Sequence, residues 1–262
     1  MAYSTILVEK RPEDKVGIIT LNRPEVRNAI NRQVLLDLQQ ALIEFTNDDE
    51  VKVIILTGGD KVFAAGADIA FMLERTAIEQ FTRLSIWDIG FPYMENNPKP
   101  IIAAIAGYAL GGGNELAMFC DLRIATESAK LGQAEINIGI MPGGGGASRL
   151  TRLVGLTKAK EMVLTGQMIT SQEALAMGLI NKVVPDDKLM EEAIKMARSI
   201  SRHSSIALAI AKKALNTAAN AADIYTAGAI ENAMFSLTFA TEDQDEGMKA
   251  FLEKRKPQFQ GK

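Results

Sequence analysis

Two glutamates in this sequence sit beside glycine-rich segments. Glu115 follows a glycine triplet in Gly107-Tyr108-Ala109-Leu110-Gly111-Gly112-Gly113-Asn114-Glu115-Leu116. Glu135 lies in Gly132-Gln133-Ala134-Glu135-Ile136-Asn137-Ile138-Gly139, just ahead of Met141-Pro142-Gly143-Gly144-Gly145-Gly146. A third segment, Phe63-Ala64-Ala65-Gly66-Ala67-Asp68-Ile69, is built of residues small enough for a ligand to approach the backbone, where the Ala67 N–H can donate to it. The triplet runs from a strand into a helix, and a helix N-terminus offers free amides and a positive dipole end to a phosphate or a developing oxyanion. It is neither a Walker A loop, since no Lys-Ser/Thr follows, nor a GxGxxG fingerprint, which leaves the oxyanion as the better-suited anion. The run of four glycines costs entropy to order, which points to a special task for its backbone.

Taken singly, each feature has a plainer reading. Residues 63–69 also suit a tight strand-to-helix turn, Glu115 a partner for the helix dipole, and Glu135 an ordinary surface acid. Taken together, two amide donors and two carboxylates make a complete kit for chemistry beside a thioester carbonyl. The amides stabilise the enolate oxygen, and the carboxylates move protons at the adjacent carbons. Two acids that share one water also couple, so one holds its proton more tightly than a free glutamate, and the pH–rate profile becomes sensitive to Glu135→Gln.

Composition narrows the alternatives. His203 is the only histidine and stands in the polar stretch Ser201-Arg202-His203-Ser204-Ser205, which reads as a solvated linker; any Ser-His-Asp or Cys-His machine would have to be built around it. One cysteine, Cys120, excludes an intramolecular disulfide framework and a multi-cysteine metal site. No metal site is expected. The 29 basic and 32 acidic residues give a net charge of −3 with no basic stripe, so nucleic acid is not an expected partner. No apolar stretch approaches the ~20 residues of a spanning helix, and no signal-peptide pattern follows Met1, so the expectation is a soluble, cytoplasmic protein without a membrane partner.

The elements that must position these residues read as α/β. Val16–Leu21, Val53–Thr57, Ile101–Ile105, Leu122–Ala125 and Ile180–Val184 are strand-like, the third apolar enough to be covered on both faces. Val34, Leu35, Leu38, Leu42 and Phe45 recur at helical spacing behind Asn31, a candidate N-cap, and a short helix spans about Gly113–Phe119. Strand–strand–helix rhythm argues for a mainly parallel sheet with helical crossovers. Beyond Thr157 the helical patterns dominate: Lys158–Leu164, Ser171–Met177, Leu189–Ser201, Ile206–Ala219, Tyr225–Thr238 and Asp243–Lys254.

As a set, these segments resemble the crotonase family across nearly the whole chain, from Leu21-Asn22-Arg23-Pro24 to Glu246-Gly247-Met248-Lys249-Ala250-Phe251-Leu252-Glu253-Lys254-Arg255. The resemblance implies a spiral of repeated ββα units over residues 1–200 that carries an acyl-CoA site, and a helical oligomerisation region over 201–262. It implies an enoyl-CoA hydratase that adds water syn across a trans-2-enoyl-CoA to give a 3-hydroxyacyl-CoA in fatty acid or short-chain acyl-CoA metabolism. Double-bond isomerisation or another acyl-CoA reaction is the alternative, followed by a non-catalytic RNA-binding or scaffolding role. The implied roles are oxyanion amides at Ala67 and Gly112, water activation at Cβ by Glu115 and proton delivery at Cα by Glu135. The implied coenzyme A contacts are Val26, Arg27, Ala29, Ala65, Ala67, Asp68, Ile69, Gly112, Pro142, Gly143 and Phe251, with Lys254 reaching the CoA of a neighbouring subunit in a hexamer of paired trimers. Coenzyme A is part of the substrate, and no other cofactor is implied. Leu84, Trp87, Ile138 and Met141 are candidates for the acyl tail from neighbourhood alone, and each also reads as core. Asn114 departs from the cysteine of many close hydratases, Ala134 from a proline, Leu131 from an aromatic and Ala70 from a CoA-binding lysine.

Overall fold

A computed structural model describes residues 3–82 and 89–262. Strands β1 (Ile6–Arg11) and β2 (Val16–Leu21) form an antiparallel hairpin. A 3-10 turn at Pro24–Val26 and helix α1 (Arg32–Thr46) lead to β3 (Val53–Thr57). Three short helices, α2 (Ile69–Leu73), α3 (Ala77–Thr82) and α4 (Phe91–Glu95), precede β4 (Ile101–Ile105). Strand β5 (Tyr108–Leu110), helix α5 (Gly112–Phe119) and strands β6 (Leu122–Thr126) and β7 (Lys130–Gly132) follow in quick succession. After a 3-10 turn at Glu135–Ile138 come α6 (Ser148–Thr165), β8 (Ile169–Thr170), α7 (Ser171–Ala176) and β9 (Lys182–Val184). Four helices close the chain: α8 (Leu189–Ser201), α9 (Ser205–Ala218), α10 (Ile224–Thr238) and α11 (Glu242–Leu252).

The main sheet has the order β1-β2-β3-β4-β6-β9 and is parallel from β2 onward; β5, β7 and β8 make a second, small sheet. All five residues of β3 and of β4 are buried, as expected for strands covered on both faces. The two-residue period sorts their side chains: Ile54, Leu56, Ile101 and Ala103 join Leu38, Leu42 and Phe45 of α1 in one core. Val53, Ile55, Ile102 and Ala104 pack instead with Leu189, Ala193 and Ala197 of α8 in the other. Asn31 caps α1 as its position suggests, its side chain accepting the Val34 N–H at 3.1 Å.

Where the elements differ from the sequence reading, local causes are visible. Helix α6 begins ten residues before Lys158, because Gly155 (φ 77°) breaks the helical geometry inside it and hides the first half from a periodicity argument. The strand at Ile180–Val184 shortens to Lys182–Val184. Strands β5, β7 and β8 hold three residues at most, too few for any period to register. His203 is exposed between α8 and α9. Lys212 anchors α9 to the sheet, its buried Nζ donating to Asp121 at 2.7 Å and to the Met94 and Lys99 carbonyls at 3.2 Å.

Candidate active site

The segment around Ala67 is laid down strand-fashion between two backbones. Ala64 N–H donates to the Tyr108 carbonyl at 3.0 Å, and Leu110 N–H donates back to the Ala64 carbonyl at 3.1 Å. On the other side, Ile30 N–H reaches the Gly66 carbonyl at 2.8 Å and Asp68 N–H the Ile30 carbonyl at 2.9 Å. In this parallel bridge the amides flanking Ala67 do the pairing, so the Ala67 N–H faces away from Ile30. It finds no protein acceptor among the described residues. The first amide of α5, at Gly112, is also without one, as helix geometry requires. The two donors are neighbours: a Cβ on Gly112 would lie 3.2 Å from the Ala67 nitrogen.

Gly111 makes the corner between β5 and α5. It adopts φ 49°, a left-handed conformation that glycine takes without strain, and a Cβ there would approach Glu135 Oε1 to 3.2 Å. Glycine at 111 therefore serves both the turn and the approach of the second carboxylate.

The two glutamates are held very differently. Glu115, buried in the first turn of α5, accepts the N–H groups of Gly144 at 2.7 Å and Gly146 at 2.8 Å, both on Oε1. Its Oε2 has no protein donor among the described residues. Burial pushes the Glu115 carboxyl above its ordinary range, while the Gly146 and Gly144 amides pull it back. Glu135, at the start of the 3-10 turn, has one weak side-chain donor, Gln133 Nε2 at 3.4 Å, and its Oε2 is buried without a partner. Burial pushes its carboxyl from an ordinary 4.5 to about 7, against its own backbone amide and with added repulsion from Glu115.

Ala65, Ala67, Ile69, Gly112, Gly143, Glu115 and Glu135 surround one cavity of about 600 Å³. Ile138 and Met141 also line it; Leu84 and Trp87 lie outside the described residues. A smaller space of about 90 Å³ adjoins it past Glu115 and Gly112, walled by apolar groups that include Leu35, Met72 and Phe91. A larger cavity, about 710 Å³ beneath α6 and α9, contains neither carboxylate.

The other predicted contacts are spread around this cavity. Val26, Arg27 and Ala29 form a turn outside its wall, tied to it by the Ala65 N–H on the Arg27 carbonyl at 3.0 Å. Asp68 turns away to Arg23, 3.1 Å distant, and caps α2. Pro142 is buried inside the glycine loop rather than in the wall. Phe251 and Lys254 are exposed at the C-terminal end and do not line the cavity. Residues the sequence did not single out include the Gly144 and Gly146 amides, Met72, Leu110 and Ile140 of the wall, and the buried Asn114–Gln133 pair. The glycine run was the one available signal for the first two. A Cβ at Gly146 would collide with the Gln133 amide, so that glycine is needed for close packing.

A family model described as enoyl-CoA hydratase/isomerase matches residues 11–262. A probable enoyl-CoA hydratase of Mycobacterium bovis is 47% identical over 262 residues, 99% of each chain. A crotonyl-CoA hydratase of Syntrophomonas wolfei is 46% identical over 260 residues, again 99% of each. The crystal structure of an enoyl-CoA hydratase from Bacillus anthracis superposes with a TM-score of 0.92 at 39% identity, covering 99% of this chain and 100% of that one.

Proposed function

The chain belongs to the enoyl-CoA hydratase/isomerase family, and we propose that it is an enoyl-CoA hydratase, adding water across the double bond of a trans-2-enoyl-CoA. The observation that carries this reading is the convergence of two free amides, Ala67 and Gly112, with two carboxylates, Glu115 and Glu135, on one cavity. The amides take the thioester carbonyl oxygen and stabilise the negative charge that gathers there as the Cβ bond to water forms. Glu115 keeps Oε1 on the Gly144 and Gly146 amides, so Oε2 is the atom that holds the water and takes its proton. Glu135, with a carboxyl near 7, keeps a substantial protonated fraction at neutral pH, and that form gives its proton to Cα. Water thus divides into hydroxyl at Cβ and a proton on Glu115, Cα gains the proton of Glu135, and proton return between the two acids resets the site.

Coenzyme A arrives as part of the substrate, and the reading requires no resident cofactor. Its phosphates and pantetheine would follow the turn at Val26, Arg27 and Ala29 and the rim at Ala65–Ile69, with Gly143 across from it. No helix among the described residues is long and apolar enough to cross a membrane; a cytoplasmic location is part of the proposal. So is the division into a catalytic region 1–200 and an oligomer-building region 201–262. Supporting the latter, Leu215, Ile224, Tyr225, Phe235 and Phe251 are each more than 60% exposed on the C-terminal helices, an apolar area suited to burial in paired trimers that place Lys254 near a neighbour's substrate. Light scattering of the purified protein checks this: six chains are expected, and a monomer removes it.

The test of the reaction is loss of the conjugated enoyl-thioester absorbance on mixing purified protein with crotonyl-CoA, alongside Glu135→Gln. Fast loss in the wild type and near-total failure in the variant is the expected result. No loss in either, with CoA binding intact, transfers the assignment to double-bond isomerisation or to an acyl substrate of different shape; no loss and no binding removes the acyl-CoA reading.

A further inference from the structure

Behind Glu135 lies a pair of amides that the mechanism above does not use. Asn114, on α5, and Gln133, after β7, are both completely buried. Asn114 Nδ2 donates to Gln133 Oε1 at 2.7 Å, which leaves Gln133 Nε2 to face Glu135 Oε1 at 3.4 Å. Two neighbouring acceptors, Asn114 Oδ1 and Glu135 Oε2, are buried and unpartnered. An amide side chain carries a donor on one arm and an acceptor on the other. The orientation of Gln133 is therefore set by whichever arm of Asn114 faces it.

We propose that Asn114 is a positioning residue, which through Gln133 matches the site to both protonation states of Glu135. With Glu135 ionised, Asn114 donates to Gln133 and Gln133 donates to the carboxylate. With Glu135 protonated, both amides turn over: Gln133 Nε2 donates to Asn114 Oδ1, and the Glu135 hydroxyl donates to Gln133 Oε1. Each arrangement leaves one arm of Asn114 unpartnered, so neither protonation state is locked in. A side chain with only one polar character at 114 would favour one state. The inference deepens the hydratase reading and rests on Glu135 being its proton donor.

The geometry also places the relay between the two acids. Gln133 packs against Gly146, whose N–H holds Glu115. The charged group that acts on Glu135 from the facing element is Glu115, on α5. A titration of Glu135 therefore has to be read with Glu115 in place.

Three variants of the full-length protein test this: Asn114→Leu, Gln133→Leu and the pair together. Steady-state hydration of crotonyl-CoA gives kcat and KM against pH. Isotope-edited infrared titration of the Glu135 carboxyl in the unliganded protein gives a readout independent of turnover. Loss of one neutral hydrogen bond corresponds to up to about tenfold in rate, so Asn114→Leu is expected to lower kcat about tenfold with KM nearly constant. The Glu135 titration should move upward, because donation from Asn114 strengthens the Gln133 contact more when Glu135 carries its charge than when it is protonated, and the ionised form therefore loses more. The double variant should be no worse than Gln133→Leu alone, since Asn114 acts through Gln133. Effects that multiply in the double variant, or an unmoved Glu135 titration, overturn the proposal. If Asn114→Leu does not fold, Asn114→Cys, a weak hydrogen-bonding group, replaces it with the same expected direction, and an unmoved titration there is equally decisive. Should the wild type fail to hydrate crotonyl-CoA, the hydratase reading falls, while the infrared titration still decides whether Asn114 tunes Glu135.

Discussion

Glu115 and Glu135 are the same side chain in two environments, both raised by burial. Glu115 has its charge tied down by two backbone amides of the glycine loop. Glu135 has one long contact and an orphaned oxygen, and sits near 7. The difference is one of supply: donors aimed at a carboxylate favour its ionised form, and their absence in a buried place favours the protonated form. A chain with a single, exposed histidine can in this way obtain an acid and a base for neutral pH from two glutamates.

The most forceful way to break the comparison is to remove the acid. Glu135→Gln keeps shape and hydrogen-bonding arms but has no proton to give, so kcat for crotonyl-CoA should fall by about 10²–10⁴. A smaller loss would mean that solvent, rather than Glu135, supplies Cα. Next is the oxyanion pair. Gly112→Pro deletes one of its two donors, and loss of one donor costs about 10²–10³ in rate. Proline also perturbs the backbone, so the informative outcome is near-wild-type activity, which would take Gly112 out of the site. Smaller again is Gly144→Pro, which removes one of the two amides on Glu115. A hydrogen bond to a charged group contributes about 1.5–3 kcal/mol, so a rate loss of about 10- to 100-fold is expected. Its acid limb should also shift to higher pH, because Glu115 then takes up its proton sooner.

How far this contrast can be read from sequence depends on how far apart its parts lie. The glutamates, the two donor segments and the strands at 53–57 and 101–105 are each local patterns; the strands form as read, and the glutamates and donor segments line one cavity. The environments of the acids are not local. Glu115 is 29 residues from Gly144, and Asn114 is 19 from Gln133, so the hydrogen bonds that differentiate the carboxylates appear only once β5 and β7 pair and bring α5 beside the glycine loop. Those strands are three residues long and leave no periodic trace. Asp68 illustrates the opposite error: it belongs to the donor segment in sequence, yet its side chain is committed to Arg23 and the cap of α2.

The pH profile sharpens the comparison without any mutation. The proposed mechanism needs Glu115 ionised and Glu135 protonated, so kcat/KM should fall on both sides. On the alkaline side the fall should be centred near pH 7, where Glu135 loses its proton. Glu135→Gln should abolish that limb in whatever activity remains. An alkaline limb that persists in the variant assigns it to another group.

The smallest expected effect concerns stability, and it separates strain from function. A carboxyl raised from 4.5 to about 7 on folding costs the folded state nothing below pH 4.5, where both states are protonated. Its penalty grows as pH rises between those values and is complete above 7. The full shift would correspond to roughly 3 kcal/mol; because Glu135 lines an open cavity, solvent screening reduces this to about 1 kcal/mol. Glu135→Gln removes the penalty, so the nearly inactive variant should be the more stable protein at pH 8, by about 2–4 °C in Tm, and indistinguishable from wild type at pH 4.5. Calorimetry at the two pH values checks both the sign and the window. A variant no more stable at pH 8 would mean that Glu135 is not buried against its own charge. The two glutamates would then differ only in position, and the division into acid and base would need another cause.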